Sequence, residues 1–315
     1  MSPRLALIAA MLFVMVPCLA YGQEQTDAPI KYDVGIQLEN IGSIDRQSGS
    51  YELIFWVTIK SNDVDFTKNP PPTEFDFTNG YVEDITGMTT EPHFHKFKVR
   101  GVFYNSMDFR SYPFENLDLA IHMEPYYPNT SDRLVFTVNR DYSGIGTSET
   151  TSIPGWNIGD PSFVASDKKY PWGDFSHYEA HYRVGTAEVL AFMKKLFPIL
   201  ILMGFSFASF LLSPKNQAER LGMISASLLS AIFFHTGYLL AELPPLGYMT
   251  LADKFMFVAY TFFIICLIPM ILTRYYVEIK SRDYTLMHQI ALDKKIAVAA
   301  PAVSGVMFVL VYYLL

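Results

Sequence analysis

Three sets of side chains in this 315-residue chain have the types and spacing to bear on chemistry. The first is the run His177-Tyr178-Glu179-Ala180-His181, two imidazoles and a carboxylate of the kinds that hold zinc. Its glutamate is misplaced for the zinc-protease pattern H-E-x-x-H. The segment also reads as a strand, where residues i and i+4 lie too far apart to share one ion. The second is His93-x-His95, spaced for a divalent ion on one strand face, although surface histidines are the commoner outcome. No metal and no cofactor are therefore expected. The third set lies within residues 219–241: Ser225, Ser227, Ser230, His235 and Thr236, with Gly222, Ala226, Ala231 and Gly237 between them. After Arg220 this stretch runs 21 residues without a formal charge, enough to cross a hydrocarbon core of roughly 30 Å. Polar and small residues inside a span face other helices or water. The chemistry this permits is ion passage along a pore-lining helix. The alternative is an ordinary bundle helix whose hydroxyls bond their own backbone carbonyls. No Ser-His-Asp order, glycine-rich phosphate loop or carboxylate pair stands out, and no enzyme is expected.

The elements that must position these residues fall into three parts. Arg4, the apolar run 5–16 and the small residues near Ala20 have the layout of a signal peptide over residues 1–22. Cys18 follows Pro17, which makes a poor lipid-attachment site. From residue 31 to about 183 the pattern has a period near two. It shows at Val34, Ile36 and Leu38, then at 51–60, 96–104, 117–123, 133–138, 162–165 and 177–184. A proline run at 70–72 breaks it. Many short strands with turn signals between them predict an all-β sandwich over residues 23–193. Four apolar segments then predict transmembrane helices near 194–213, 219–241, 250–273 and 294–315, with the second wrapped by the other three.

Half of the residues are hydrophobic and 17% are charged, unlike a soluble protein. Residues 24–193 carry 25 acids and 13 bases, a net of −12. Such a domain repels nucleic acid and concentrates cations. Without the leader only Cys266 remains, so no intramolecular disulfide is expected. The connections at 213–220 and 273–295 hold seven Lys/Arg and the connection between spans two and three only Lys254. Bases gather on the cytoplasmic side. That predicts a multi-pass protein of the cytoplasmic membrane, in contact with lipid, with the β domain and the carboxyl end outside.

Residues 107–119, MDFRSYPFENLDL, resemble the core of the loop that names the Cys-loop receptors, here without flanking cysteines, as in their prokaryotic relatives. Tyr112-Pro113-Phe114-Glu115 is the matching core, with Glu115 where the family usually has Asp. MDFR and the later Met123-Glu124-Pro125 look like the amine-gated bacterial members. Pro198, Glu219-Arg220-Leu221 and LPPLGYMTLAD at 243–253 also match, in order. The resemblance spans nearly the whole mature chain. It implies a homopentamer of chains, each with an immunoglobulin-like sandwich of about ten strands ahead of four helices, the second lining the pore.

The same resemblance implies site residues. Tyr112, Pro113, Phe114 and Glu115, with the stiff connector containing Leu243, Pro244 and Pro245, would couple the sandwich to the second span. Glu219 would form a ring of five carboxylates that attracts permeant monovalent cations. Gly222, Ala226, Leu229, Phe233 and Leu240 would face the axis, Leu229 and Phe233 as a hydrophobic constriction. Polarity alone prefers Met223, Ser227, Ser230 and Phe234. Gly222 and Ala226 depart from the family, whose members often place polar residues there. The hairpin at 168–178 resembles the loop that caps the subunit interface. In it Tyr170, Trp172 and Phe175, with Phe136 from a neighbouring loop, would cage an ammonium group, at about 0.5–2 kcal/mol per cation–π contact.

The function expected is a cation-selective channel opened by a small agonist such as a primary amine. Two alternatives stand beside it: gating by protons, and a membrane-anchored sensor or adhesion protein that conducts nothing.

Overall fold

A computed structural model of the chain describes residues 28–71, 75–146, 154–276 and 286–314. The signal peptide expected over 1–22 and the middle of the 274–293 connection lie outside those residues. Ten strands come first: β1 (Ile30–Asp45), β2 (Ser50–Lys60), β3 (Gly80–Glu91), β4 (Phe94–Tyr104), β5 (Asn116–Met123), β6 (Leu134–Val138), β7 (Gly144–Ile145), β8 (Trp156–Ile158), β9 (Ser162–Tyr170) and β10 (Gly173–Thr186). They form two sheets. One runs β3-β4-β2-β1-β6, with β7 beside β1; in the other β10 lies between β5 and β8 and also pairs with β9.

Alternation explains why these sheets meet. Val34, Ile36 and Leu38 on β1, and Leu53, Phe55 and Val57 on β2, are fully buried on one face. Leu119 and Ile121 on β5, with Tyr178, Ala180 and Tyr182 on β10, are fully buried on the other sheet. A period of two puts each set on one face, and the faces cover each other from water. Two tyrosines cross the core to bond the opposite sheet. Tyr51 Oη donates to the Ala120 carbonyl at 2.7 Å, and Tyr182 Oη to that of Ile36 at 3.1 Å. β3 escaped the sequence because its side chains are exposed or half-buried throughout. An edge strand lacks an apolar face to announce it.

Four helices follow: α1 (Glu188–Leu211), α2 (Gln217–Glu242), α3 (Leu251–Arg274) and α4 (Leu286–Leu314). Each contains a stretch long and apolar enough to cross a membrane, and the chain is a multi-pass membrane protein. α1 starts six residues before the expected 194 and passes through Lys194-Lys195 in a π-helical turn. Lys195 need not end the helix, because its ammonium pairs with Glu242 and lies 4.0 Å from the Tyr238 ring centre. The expectation that the other helices wrap α2 is corrected. Within the single chain α3 is the most enclosed, 44% buried over its most apolar stretch against 22% for α2. α3 is the most apolar of the four, and it packs on α1, α2 and α4.

Candidate functional site

The first candidate is a pocket of about 270 Å³ at the tip of the β9–β10 hairpin. β9 and β10 pair down to Tyr170 opposite Gly173, leaving Pro171-Trp172 as a two-residue turn. Gly173 has φ of +142°, and a Cβ there would lie 2.9 Å from Thr130. Only glycine fits that turn without strain. The turn stacks Trp172 on Tyr170, with ring centres 5.1 Å apart and planes 11° apart. Phe175 meets Tyr170 edge-on at 6.0 Å. These three rings line the pocket together.

Phe136 does not. It lies on β6, not on a loop, and is 2% exposed in the core against Phe75. Strand alternation turns Leu134 and Phe136 inward together. Sequence reasoning missed Asp76, Glu124, Tyr126 and Tyr127, which with Pro125 complete the lining. The Met123-Glu124-Pro125 run was visible as a motif, but nothing in it gave Glu124 a task. Its backbone exchanges two hydrogen bonds with Asp76, at 2.8 and 3.0 Å, which brings the carboxylates together. Burial, and then the charge of Glu124, raise the pKa of Asp76. Glu124 Oε1 accepts from Tyr170 Oη at 2.8 Å. Aromatic walls with two carboxylates are complementary to an organic ammonium ion.

The second candidate is the junction between sheets and helices. Arg46, from the β1–β2 turn, reaches the carboxylate of Glu115 at 2.6 Å and that of Glu242 at 3.7 Å. Its guanidinium also lies 5.0 Å from the Trp156 ring centre. Tyr112 Oη donates to Glu242 at 3.1 Å. Burial and the adjacent Glu242 charge push the Tyr112 phenol far up, so it stays a donor. Tyr112 and Pro113 are buried, Phe114 is half-buried, and Glu115 is 1% exposed. Leu243 is buried, Pro244 half-buried and Pro245 exposed.

The loop at 107–115 also caps α3. A helix start leaves four N–H groups without intrahelical partners. Thr250 and Asp253 satisfy two of them reciprocally, at 2.8 and 3.1 Å. The carbonyls of Arg110 and Tyr112 take the other two, from Leu251 at 2.8 Å and Ala252 at 2.9 Å. Phe109 N–H donates to Tyr248 Oη at 3.0 Å. β10 ends on the same loop, where Thr186 Oγ1 donates to the Pro113 carbonyl at 3.0 Å.

The third candidate is the outer face of α2. Arg220, Ile224, Ser227 and Ala231 are buried against the bundle. The expected stripe, Gly222, Ala226, Leu229, Phe233 and Leu240, is exposed, as is Glu219. At 100° per residue it lies diametrically opposite the buried set. The polarity-based stripe is split. Ser227 is buried and bonds its own turn at Met223 (2.9 Å), Met223 and Phe234 are half-buried, and only Ser230 is exposed. His235 is tied to α3 through Tyr260 Oη and Asp253 Oδ1, each at 3.0 Å. The histidines at 93 and 95 are engaged separately, His93 with the Ser61 carbonyl and His95 with Thr90 Oγ1, both at 2.9 Å.

No described protein family matches the chain, and no curated protein matches it either.

Proposed function

We propose that this chain is a subunit of a homopentameric, cation-selective channel, of the Cys-loop receptor type its motifs resemble, opened by a small amine in the aromatic–acid pocket. The observation that carries this reading is the orientation of α2. A helix that turns Leu229 and Phe233 away from its own bundle, in line with exposed Glu219, Gly222 and Ala226, fits a surface of protein or water better than lipid. Fivefold assembly would supply it, with an axis lined by copies of this stripe and Glu219 at its inner end. The two sheets would then be an immunoglobulin-like sandwich outside the cytoplasmic membrane, with the carboxyl end on the same side.

Gating follows from the contacts. The pocket sits at one end of β10 and the Thr186 bond to the 107–115 loop at the other. An amine that draws the hairpin inward would shift β10 along its length and move that loop. The loop carries the start of α3 and, through Tyr112, the end of α2. Tilting α2 would hydrate Leu229 and Phe233. The amine opens the channel only by the difference in its affinity for the two states.

Currents through purified protein in a planar bilayer, under a KCl gradient and with primary amines added, test this. Reversal near the potassium potential is expected, and Glu219→Gln should abolish that selectivity. Trp172→Ala, at an exposed position, should raise the half-maximal amine concentration about 2- to 30-fold, the equivalent of one cation–π contact. Silence throughout, with a monomer in detergent, would leave the anchored sensor.

A pH dependence follows from Asp76. Its raised pKa means that protonation begins at higher pH than for an ordinary carboxyl group. The ionised form attracts the ammonium, so affinity is full above that pKa and falls as pH drops through it. Amine calorimetry at stepped pH should show this loss, reduced in Asp76→Asn. Equal pH profiles in both proteins would remove Asp76 from the site.

A further inference from the structure

The H-Y-E-A-H run has a partner that its own spacing did not reveal. In the β5–β10 register His122 stands directly opposite Glu179. Both strands alternate, so His122 shares the outer sheet face with His177 and Glu179. One donor atom from each of these three residues lies within 4.8 Å of the others. His177 Nε2 is already 3.1 Å from Glu179 Oε1. That is close to the separation of about 3.3 Å that tetrahedral bonds near 2.0–2.1 Å require. The His122 and His177 rings meet edge to face, with centres 5.2 Å apart. His177 and His181 need not share an ion, because the neighbouring strand supplies the second imidazole.

The surroundings are those of a supported site. His177 Nδ1 is 2.6 Å from Glu124 Oε1, so the remote nitrogen is held by a carboxylate and Nε2 is turned toward Glu179. His181 does the same for the third donor, lying 3.2 Å from Glu179 Oε2 and anchored on Asp118 at 2.8 Å. A carboxylate behind a ligating histidine fixes its tautomer and orientation.

We propose that His122, His177 and Glu179 bind a divalent transition-metal ion of the zinc class, with Glu124 and His181 as positioning residues. Two imidazoles and one carboxylate suit zinc or cobalt(II), whereas calcium and magnesium prefer all-oxygen sets. A fourth position is left for water or another ligand. The site shares Glu124 with the aromatic pocket, so ion and amine should affect each other. That second part rests on the amine reading; the ion site does not.

The test is titration of the purified, metal-free full chain in detergent with cobalt(II) and then zinc. The expected result is the intense visible absorption of four-coordinate cobalt, displaced by zinc and unaffected by excess calcium or magnesium. His122→Ala, at a half-buried position, should abolish the spectrum, as should the shape-conserving Glu179→Gln. Glu124→Gln should weaken binding about 10- to 100-fold. Elution volumes matching the parent protein show that each variant folds. Cobalt or zinc binding unchanged in His122→Ala and Glu179→Gln, or no binding by the parent protein, would overturn the proposal. Zinc binding that is lost in these variants, in a protein that ignores amines, would uphold the ion site and sink the amine reading alone.

Discussion

Replacing Arg220 by alanine is expected to destabilise the folded chain by about 3–5 kcal/mol, the usual consequence of breaking a buried ion pair. Arg220 is 2% exposed although it opens an apolar helix. Its Nη1 donates to Asp293 Oδ2 on α4 at 3.0 Å, and its Nε donates to the Ser209 carbonyl at the end of α1 at 3.0 Å. One guanidinium thus joins three helices. Without it, Asp293 stays buried with no cation, and the Ser209 carbonyl loses a donor. Lys294 and Lys295 adjoin Asp293 but point to the exposed side. Denaturant melts of the detergent-solubilised protein should show the loss in Arg220→Ala and again in Asp293→Ala. The double replacement Arg220→Met, Asp293→Leu should recover much of it, since a matched apolar pair is often neutral against a buried ion pair. An Arg220→Ala protein as stable as the parent would mean that a lysine takes over the pairing.

This pair shows what the sequence could and could not disclose. Glu219-Arg220-Leu221 was legible as a motif, and at about 100° per residue Arg220 need not share the direction of Glu219. Asp293 lies 73 residues away, and no local pattern links the two. The same limit recurs throughout. Two sheets followed from a period of 2 and four helices from the length of the apolar runs, and both signals are local. Phe175, Trp172 and Tyr170 could be named together because one hairpin, singled out by its resemblance, carries all three. Asp76 and Glu124 were not, because the β-bridge that joins them connects distant segments. Phe136 was misplaced because an aromatic residue looks alike on a core face and a binding face until its register is known. His122 waited on the register of β5 against β10. Edge strand β3 gave no signal, for want of an apolar face.

Arg46→Ala is expected to uncouple binding from opening, and this follows from where the charges sit. Glu115 has no exposed side-chain surface, and its only ion-pair partner among the described residues is Arg46. Arg46 also reaches Glu242, the last residue of α2, and Gln47 beside it donates to the Ala241 carbonyl at 2.7 Å. The β1–β2 turn is therefore fastened both to the 107–115 loop and to the top of α2. Removing the guanidinium strands the buried Glu115 carboxylate, at roughly 3 kcal/mol, the low end for a buried pair, because the Arg46 side chain is 22% exposed. If that loss falls on the open state alone, the open population drops by about two orders of magnitude. The pocket at the far end of β10 keeps all its residues, so amine binding by calorimetry should persist, weakened toward the affinity of the closed state, while bilayer current disappears. Arg46→Lys should recover less than half of the current, since an ammonium lacks the fork that spans two carboxylates. Arg46→Met with Glu115→Gln should recover stability without recovering current, which separates the electrostatic cost at Glu115 from the mechanical link to Glu242. Normal currents at an unshifted amine concentration in Arg46→Ala would remove this junction from the gating path and leave the capping of α3 by the Arg110 and Tyr112 carbonyls as the remaining connection.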